Sequence, residues 1–409
     1  MPTPVHRPPQ CVEVPPGQPV QPALDRTPDG GAVCLLPGIY AGHLVVDRGV
    51  TLYGPPSAIV RSDGTGTTVN ALGRNTRLLG FTIEGSGRRY DKMDAALHIQ
   101  GDEIQADGLL IRGAVFGVNV ERSRRVRLHG NVIRGTGEAA LGLRGDGIRF
   151  WETTDSSIEG NFISDSRDLV IRYTRRTRIL GNTITRGRYG LHLMYSSDAI
   201  LEDNRSIGNV VGTFIMYSHE VQYRRNLLAA STGAAGMGLG MKESGNVEVM
   251  DNIALRNTVS LYIDTSPLQL GDHNRFSHNA FVLSEVGIIL HSSQRGNTFE
   301  QNSFHDNQEQ VRVEGGGDAL GSEWEGNDFD DYAGFDFDGD GIGDVPYELH
   351  SFSSKLLSRF PNLAFFRGTL ALDLVDTVTH ILPLLKPRAL LIDRRPTMQR
   401  ISVEVPRED

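Results

Sequence analysis

Short apolar segments recur along the chain, and an asparagine marks the same place in each repeat. Nine asparagines follow one another at steps of 21 to 30 residues: Asn131, Asn161, Asn182, Asn204, Asn226, Asn252, Asn279, Asn302 and Asn327. In most repeats an apolar residue lies two positions later, at Ile133, Ile163, Ile184, Leu228, Phe281, Phe304 and Phe329. No repeat holds an apolar pattern of helical length, so the pattern predicts short strands separated by turns. A fixed period of this size predicts a solenoid.

The strands and turns of each repeat predict an all-β fold, a right-handed parallel β-helix with three short strands in each coil. Asparagine suits one turn per coil, because it tolerates left-handed conformations and can bond its own backbone. Stacked asparagine side chains can also bond each other from coil to coil. The expected divisions are an extended N-terminal lead-in at 1–30, the β-helix at 31–330, an acidic loop at 331–350, and a helix and tail at 351–409.

Composition and charge narrow the class of protein. The chain has 41 basic and 50 acidic residues, a formal charge of −9, and this balance disfavours general nucleic-acid binding. No apolar run is long enough to span a bilayer, and no signal peptide follows Met1, so we expect a cytosolic protein or a mature chain after cleavage. Cys11 and Cys34 could form one disulfide, which an oxidising compartment would allow, or remain two buried thiols.

The acidic loop carries carboxylates at positions 1, 3, 5 and 9 and a backbone carbonyl at position 7, as calcium loops of the EF-hand type do. The predicted ligand set is Asp336, Asp338, Asp340, Ile342 and Asp344. Position 12 is Tyr347 rather than glutamate, so the bidentate ligand must come from elsewhere. We predict a structural calcium site here, and the alternative is a solvated acidic turn without metal.

The segment after the loop is apolar at helical spacing and predicts an amphipathic helix. Its apolar positions, Leu370, Leu374, Val378, Ile381, Leu382 and Leu385, would dock a partner or cap the solenoid. Both uses are compatible, because a helix has two faces.

A second pattern places methionine and histidine on one outer face. The segments 190–196 and 212–218 are offset by 22 residues, and alternation along a strand turns His192, Met194 and Met216 outward. Thioether and imidazole together favour Cu(I) over hard cations. The predicted copper ligands are Met194, Met216, His192, His219, Met237 and Met241. The alternative is that the methionines fill gaps beneath a loop or the C-terminal tail.

An enzyme is the competing interpretation of the fold. Parallel β-helices often carry polysaccharide lyases, hydrolases and epimerases. Two sets of residues could serve such chemistry: Asp146, Asp168 and Glu152, or Arg149, Arg172 and Tyr173. The chain lacks a clustered acid pair, a Gly-x-Ser-x-Gly motif, an HExxH motif and a phosphate loop. We therefore expect no enzyme, with a carbohydrate-binding or carbohydrate-active protein as the alternative.

The C-terminal third carries more specific motifs. They are Trp324-Glu-Gly-Asn327, Asp331-Tyr-Ala-Gly-Phe-Asp336-Phe-Asp-Gly-Asp-Gly-Ile-Gly-Asp344-Val-Pro-Tyr347, Phe360-Pro-Asn-Leu and Asp393-Arg-Arg-Pro396. Together with the coils they resemble the NosD family of periplasmic proteins. The resemblance covers most of the chain, and the combination of loop and helix is its most specific part.

This resemblance implies a periplasmic, non-enzymatic component of an ABC-type complex with a permease (NosY) and an ATPase (NosF). The complex serves assembly of the copper centres of nitrous oxide reductase, and a copper chaperone (NosL) would hand copper on. Contact with the membrane would occur only through partner subunits. The family supplies no fixed ligand motif, so the copper ligands above remain an inference from the residues.

Overall fold

A computed structural model of the chain describes residues 1–292, 295–350 and 389–401. The chain divides into two compact units, Met1–Phe214 and Ile215–Asp409. Each unit is built from parallel coils that contribute short strands to three sheets. The predicted parallel β-helix is confirmed, and the predicted C-terminal helix lies outside the described residues.

The first unit begins with three stacks of parallel strands. The first sheet contains Val12–Val14, Ala32–Leu35, Thr51–Tyr53, Arg77–Leu79, Gln105–Asp107, Arg127–His129, Ser157–Glu159, Arg178–Leu180 and Ser197–Glu202. The second sheet contains Leu44–Val46, Val69–Ala71, Ala95–Ile99, Phe116–Glu121, Ile148–Trp151, Asp168–Arg172 and Tyr189–Met194. The third sheet contains Gly38–Ala41, Ala58–Arg61, Thr82–Glu84, Leu110–Arg112, Val132–Arg134, Phe162–Ser164, Thr183–Thr185 and Arg205–Ile207. An α-helix spans Gln21–Arg26, and 3₁₀ turns span Tyr90–Lys92 and Leu141–Leu143.

The strand Val211–Met216 contains the division between the units, and the second unit repeats the three-sheet arrangement. Its first sheet contains His219–Arg224, Gly245–Met250, Asn274–Ser277, Asn297–Glu300 and Glu323–Glu325. Its second sheet contains Met237–Lys242, Val259–Asp264, Val286–His291 and Glu309–Glu314. Its third sheet contains Leu227–Ala229, Ile253–Leu255, Ala280–Val282, Ser303–His305 and Asp328–Phe329. Tyr347–His350 and Ala389–Asp393 add an antiparallel pair.

The core of the first unit is a set of aliphatic columns. Ile111, Ile133, Ile163 and Ile184 follow one another in register through four coils, and all four are buried. Branched aliphatic side chains stack well on a pleated surface, and each coil covers the apolar face of the one before it. The apolar residue that recurs two positions after the asparagine is therefore a core position.

The core of the second unit becomes aromatic towards its C-terminal end. The rings of Phe276 and Phe299 stack at a centroid distance of 4.7 Å, and Trp324 continues the stack at 4.1 Å. In the adjacent column Phe304 and Phe329 stack at 4.8 Å. Larger rings bury more apolar area per coil, which suits the terminal coils of a solenoid.

The repeated asparagines form a directional hydrogen-bond ladder in each unit. In the first unit the backbone N and the Nδ2 of Asn131 both donate to Oδ1 of Asn161, at 3.0 and 2.8 Å. The same pair of bonds joins Asn161 to Asn182 and Asn182 to Asn204. In the second unit it joins the successive members Asn226, Asn252, Asn279, Asn302 and Asn327. The predicted coil-to-coil bonding of the asparagine side chains is confirmed.

An aspartate ends this ladder. Backbone N and Nδ2 of Asn327 donate to Oδ2 of Asp393, at 3.0 and 2.8 Å, and Asp393 is fully buried. Every asparagine donates two hydrogen bonds to the side-chain oxygen of the next one. Asn327 is the last asparagine, so its acceptor must be a group that has no N–H donors of its own to satisfy. A carboxylate meets this requirement, because it only accepts.

The left-handed backbone conformation falls on a different residue from the one predicted. None of the nine repeated asparagines has a positive φ, whereas the residue before each of them does. In four coils that preceding residue is glycine, at Gly130, Gly160, Gly181 and Gly326. The asparagine therefore serves as the bonding residue of the corner and its predecessor makes the turn.

The N-terminal lead-in lies against the first unit. Its strand Val12–Val14 pairs with Ala32–Leu35, and Cys11 forms a disulfide with Cys34. Backbone N of Thr3 donates to the carbonyl of Gly130 at 2.8 Å. A Cβ on Gly130 would lie 2.1 Å from the Thr3 hydroxyl, so the lead-in can pack against this corner only because residue 130 is glycine. The proline content of the lead-in did not indicate its strand or its helix.

Candidate metal-binding face

The outer surface of the second sheet in the first unit, called here the outer face, carries the predicted soft ligands. Glu121, Trp151, Arg172 and Met194 end four successive strands and follow one another in register. Within the strand Tyr189–Met194 the buried side chains are Leu191 and Leu193, so alternation turns His192 and Met194 to the outer face. Both are partly exposed. The predicted orientation of this pair is correct.

His192 lies in a largely desolvated environment. Its ring centroid is 4.6 Å from that of Tyr189 and 6.5 Å from that of Phe214. Burial lowers the pKa of His192 to about 4, with Arg188 and Arg172 adding to the decrease against an opposing effect of Asp168. The imidazole is therefore neutral at neutral pH. A neutral imidazole, unlike an imidazolium, can act as a metal ligand.

A buried ion network supports the strand that carries His192. Arg167 bridges the carboxylates of Asp146, at 2.9 Å, and Asp168, at 3.7 Å. Arg188 also pairs with Asp168, and its guanidinium lies 4.7 Å from the ring centre of Tyr189. Burial raises the pKa of Asp146 to about 6, against the effect of Arg167. Both carboxyl groups are buried and held by arginine, and Asp168 also accepts from the backbone N of Tyr189 at 3.1 Å.

Arginine and aromatic side chains alternate beside Met194. The guanidinium groups of Arg149 and Arg172 lie over Trp151, at 4.5 and 4.7 Å from the ring centre. Arg172 also lies 4.9 Å from the ring centre of Tyr173 and 5.7 Å from that of Tyr195. Cation–π contacts of this kind hold a guanidinium without neutralising its charge.

The second unit places different side chains at the strand ends of its second sheet. Lys242, Asp264, His291 and Glu314 follow one another in register there. Met216 ends the strand Val211–Met216 and is partly exposed, and Tyr217 donates its backbone N to the carbonyl of Lys242. The repeat after Asn226 is 26 residues long rather than 22, which brings Lys242 to the position where a methionine was predicted.

The other three predicted copper ligands of the second unit, Met241, Met237 and His219, each have a different environment. Met241 is 0% exposed and pairs in register with Ile263, so it belongs to the core and the prediction that it is an outer ligand is wrong. Met237 packs against the apolar cluster of Val259, Val286 and Ile289. His219 begins a strand of the first sheet and pairs with Asp272 at 3.2 Å.

The acidic loop is compact and tied to the tail. Carboxylate oxygens of Asp336, Asp338 and Asp340 lie within 4.8 Å of one another. Asp336 accepts from the backbone N of Gly339 at 2.7 Å and of Gly341 at 2.9 Å, and these bonds lower its pKa. Asp344 accepts from the backbone N of Phe337 at 2.6 Å. Ile342 forms a bridge with Thr397. Carboxylates this close repel one another unless a cation lies between them, so the arrangement fits a hard divalent ion.

The predicted docking residues between Leu370 and Leu385 lie outside the described residues. Among the helices that the structure does describe, none has the length and apolar character needed to cross a bilayer.

Some residues of the site region were not found from the sequence. Tyr189, Arg167 and Arg188 position His192, yet each looks like an ordinary strand or turn residue in the sequence. The only available signal was the 21-residue spacing of Asp146, Arg167 and Arg188, which matches one coil.

Comparison with known folds supports the β-helix. The A-module of the mannuronan C-5 epimerase AlgE6 of Azotobacter vinelandii superposes with a TM-score of 0.57 at 13% identity, over 75% of this chain and 94% of that one. The catalytic unit of the GH87 α-1,3-glucanase of Streptomyces thermodiastaticus gives a TM-score of 0.57 at 15% identity, over 78% of this chain and 69% of that one. At this identity the likeness concerns the fold alone.

Sequence relatives are more specific. A "probable ABC transporter binding protein NosD" of Pseudomonas aeruginosa is 26% identical over 407 residues, 93% of this chain and 91% of that protein. A protein of the same name from Stutzerimonas stutzeri is 25% identical over 398 residues, 89% of this chain and 86% of that protein. The profile of the family described as "Periplasmic copper-binding protein (NosD)" matches residues 129–334. These residues include the asparagine ladders, the outer face from Ile148 to Met194 and the start of the acidic loop, and the chain belongs to the NosD family.

Proposed function

We propose that this chain is a periplasmic accessory protein of an ABC-type transporter complex, and that it carries Cu(I) as cargo and docks partners for assembly of the copper centres of nitrous oxide reductase. The family description as a periplasmic copper-binding protein supports copper and the compartment, and the names of the two relatives support the transporter. The expected partners are the permease NosY, the ATPase NosF, the chaperone NosL and the reductase.

The observation that carries the proposal is the pair His192 and Met194. A thioether and a neutral imidazole, two positions apart on one strand, are a soft donor pair suited to Cu(I). Met216, one 22-residue repeat further along the sequence, is the candidate third donor. We exclude Met241 because it is in the core, and Met237 and His219 because each is engaged elsewhere.

The charge next to Met194 suits transfer rather than storage. Arg172 is the register partner of Met194, and a fixed guanidinium disfavours a resident cation nearby. Two or three neutral donors beside a positive charge bind copper weakly enough to release it. Such a site delivers its cargo, in contrast to a closed structural site with four ligands.

Anaerobic Cu(I) titration against a competing chelator tests this function. We expect the wild type to bind copper, and Met194→Ala and Met216→Ala each to weaken binding about tenfold, because each removes a soft donor. Met194→Leu retains the apolar volume and should weaken binding as much as Met194→Ala.

The matched control is Met398→Ala, which removes an exposed methionine on the tail. Equal weakening by Met398→Ala would show non-specific thioether binding, and no binding by the wild type would contradict the copper function of the isolated chain.

We further propose that the acidic loop binds Ca²⁺ through Asp336, Asp338, Asp340, the carbonyl of Ile342 and Asp344. Its role would be structural, because the loop is tied to the tail at Thr397 rather than open to a substrate. The close approach of the three carboxylates at Asp336, Asp338 and Asp340 supports this.

A further inference from the structure

Arg172 is a partly buried cation, and no carboxylate of the described residues pairs with it. Within the same part of the chain, it makes one hydrogen bond, from Nη2 to the hydroxyl of Tyr173 at 3.2 Å, and its Nε is buried with no acceptor. Other arginines of the same unit are paired with acids. Arg149 reaches Glu121 at 2.8 Å, and Arg175 reaches Asp198 at 3.0 Å. A buried donor left unsatisfied is costly, so Arg172 has the character of one half of an ion pair.

The side chains around Arg172 hold it in place. Trp151, Tyr173 and Tyr195 surround the guanidinium, and the rings of Tyr173 and Tyr195 stack at 5.2 Å. Both tyrosines are 42% exposed. Both also have a left-handed backbone, with φ of 55° and 48°. The same corner is left-handed in the two preceding coils, at Arg122 and Glu152, so this conformation belongs to the fold of the coil.

We infer that Arg172, Trp151, Tyr173 and Tyr195 form an anchor for a protein partner that presents an acidic side chain, and we call these four residues the anchor. The inference rests on the proposed function, because the partner would be the protein that hands copper to Met194 or takes it away. Tryptophan, tyrosine and arginine are the residues that most often dominate the binding energy of protein interfaces. A partner carboxylate would accept from the guanidinium of Arg172 and supply the acidic partner that it lacks among the described residues.

Two observations favour a protein side chain over a sugar chain. Two guanidinium groups, of Arg149 and Arg172, already lie over the Trp151 indole at 4.5 and 4.7 Å from its ring centre, so a sugar ring would have to compete with them for stacking. The strand Ile148–Trp151 is also bonded to a strand on each side, so a peptide cannot add to the sheet as another strand. Recognition must therefore occur through a side chain, and the unpaired guanidinium selects an acid.

The test uses the full chain and a synthetic acetylated hexapeptide of alternating glycine and glutamate. We expect calorimetric titration at low salt to show binding that weakens as salt is added, because the interaction pairs charges. Arg172→Gln should weaken it about tenfold, since it removes the charge-assisted bonds. Arg172→Lys, which keeps the charge but not the planar group, should have an intermediate effect.

Two controls distinguish specific binding of the peptide at Arg172 from general attraction between the peptide and any exposed arginine. Arg175→Gln, in an exposed arginine already paired with Asp198, should bind the peptide as the wild type does. The peptide with glutamine in place of glutamate should not bind. Equal weakening by Arg175→Gln, no binding of the glutamate peptide by the wild type, or tighter binding of oligogalacturonate than of the peptide would each overturn the inference.

Two further variants separate this inference from the copper proposal. Met194→Ala should bind the acidic peptide normally while binding Cu(I) about tenfold more weakly, and Arg172→Gln should still bind Cu(I). Thermal melting of Arg172→Gln close to that of the wild type would show that the variant folds. If Arg172→Gln instead lost copper as well as peptide, the anchor would not be a separate site, and the inference would be wrong.

Discussion

The buried carboxyl of Asp146 gives the first unit a pH dependence that can be measured. Burial raises the pKa of Asp146 from 3.8 to about 6, so the folded chain holds this proton more tightly than the unfolded chain does. The stability contributed by the group is therefore fully present below pH 3.8 and is lost as the pH rises through about 6.

Asp146→Asn removes this titration. The melting temperature of Asp146→Asn relative to that of the wild type should therefore increase between about pH 5 and about pH 7.5. Differential scanning fluorimetry at both pH values measures the change. Asp155→Asn is the control, because Arg176 lowers the pKa of this exposed group and its titration lies below that window. A difference between Asp146→Asn and wild type that does not change with pH would contradict the assignment.

Single side chains mark the limit of what the sequence could predict. The outward orientation of His192 and Met194 followed from strand alternation and one 22-residue offset, and it is correct. Met241 was assigned wrongly, because the position 26 residues after Met216 is Lys242, and Met241, one residue earlier, points into the core. The lowered pKa of His192 comes from its burial, with Arg188 and Arg172 adding to the decrease, and the degree of burial of a side chain cannot be predicted from strand alternation.

At the scale of elements, substitution of Asp393 measures how much the end of the asparagine ladder contributes to the free energy of unfolding. Asp393→Ala removes the acceptor of the backbone N of Asn327 and of one N–H of its side-chain amide, while Nδ2 still donates to the carbonyl of Phe299. Each orphaned N–H in this buried site costs about 1–3 kcal/mol. Asp393→Asn keeps one oxygen and should cost less. Chemical denaturation followed by fluorescence of Trp324, in the last coil, measures both variants.

The comparison of the two Asp393 variants is the decisive part of that experiment. If Asp393→Asn were as damaging as Asp393→Ala, the negative charge rather than the acceptor would matter. If neither variant changed the transition, Asp393 would not be a functional end to the ladder.

The acidic loop predicts a calcium-dependent stability. Asp338→Ala combined with Asp340→Ala removes two of the expected ligands, so the melting temperature should fall in the presence of Ca²⁺ and stay unchanged in chelator. Asp47→Ala, in an exposed carboxylate far from the loop in sequence, is the control. A decrease of equal size in chelator would show that the two aspartates stabilise the loop by packing alone.

Elements that repeat in every coil could be predicted from the sequence, whereas elements that occur once could not. A rung of the ladder repeats in every coil, so nine copies of one asparagine specify it. The end of the ladder occurs once, on Asp393, which lies 66 residues beyond Asn327 and is not an asparagine. The helix Gln21–Arg26 is six residues long and carries a proline near its start, so it lacks the extended apolar periodicity that identifies a helix in sequence.

At the scale of the whole molecule, a solenoid should respond to damage locally. Each coil contacts only its neighbours, so the loss of one restraint spreads to adjacent coils and not through a shared core. The disulfide between Cys11 and Cys34 restrains the coils of Ala32–Leu35 and its neighbours. A loop of this size stabilises a fold by about 3 kcal/mol.

Cys11→Ser combined with Cys34→Ser should therefore increase amide hydrogen exchange in the first coils and leave the strands of the second unit unchanged. Hydrogen exchange followed by mass spectrometry resolves the two regions. The double variant Ser57→Ala with Ser62→Ala, in the same region but without a disulfide, is a control for substitution itself. A uniform increase along the chain would show that the solenoid unfolds as one cooperative body.

The ladder also has a consequence for how such a chain can change in length. Every asparagine presents the same two donors and accepts from the same two, so neighbouring rungs are interchangeable. Removal of residues 162–182 would excise one whole coil and leave Asn161 to meet Asn204 as Asn182 does now. Insertions and deletions are therefore tolerated in whole-coil steps, and a gain or loss of a few residues must be absorbed in a turn. The number of coils can therefore change by whole repeats while the first and last coils keep their own contacts.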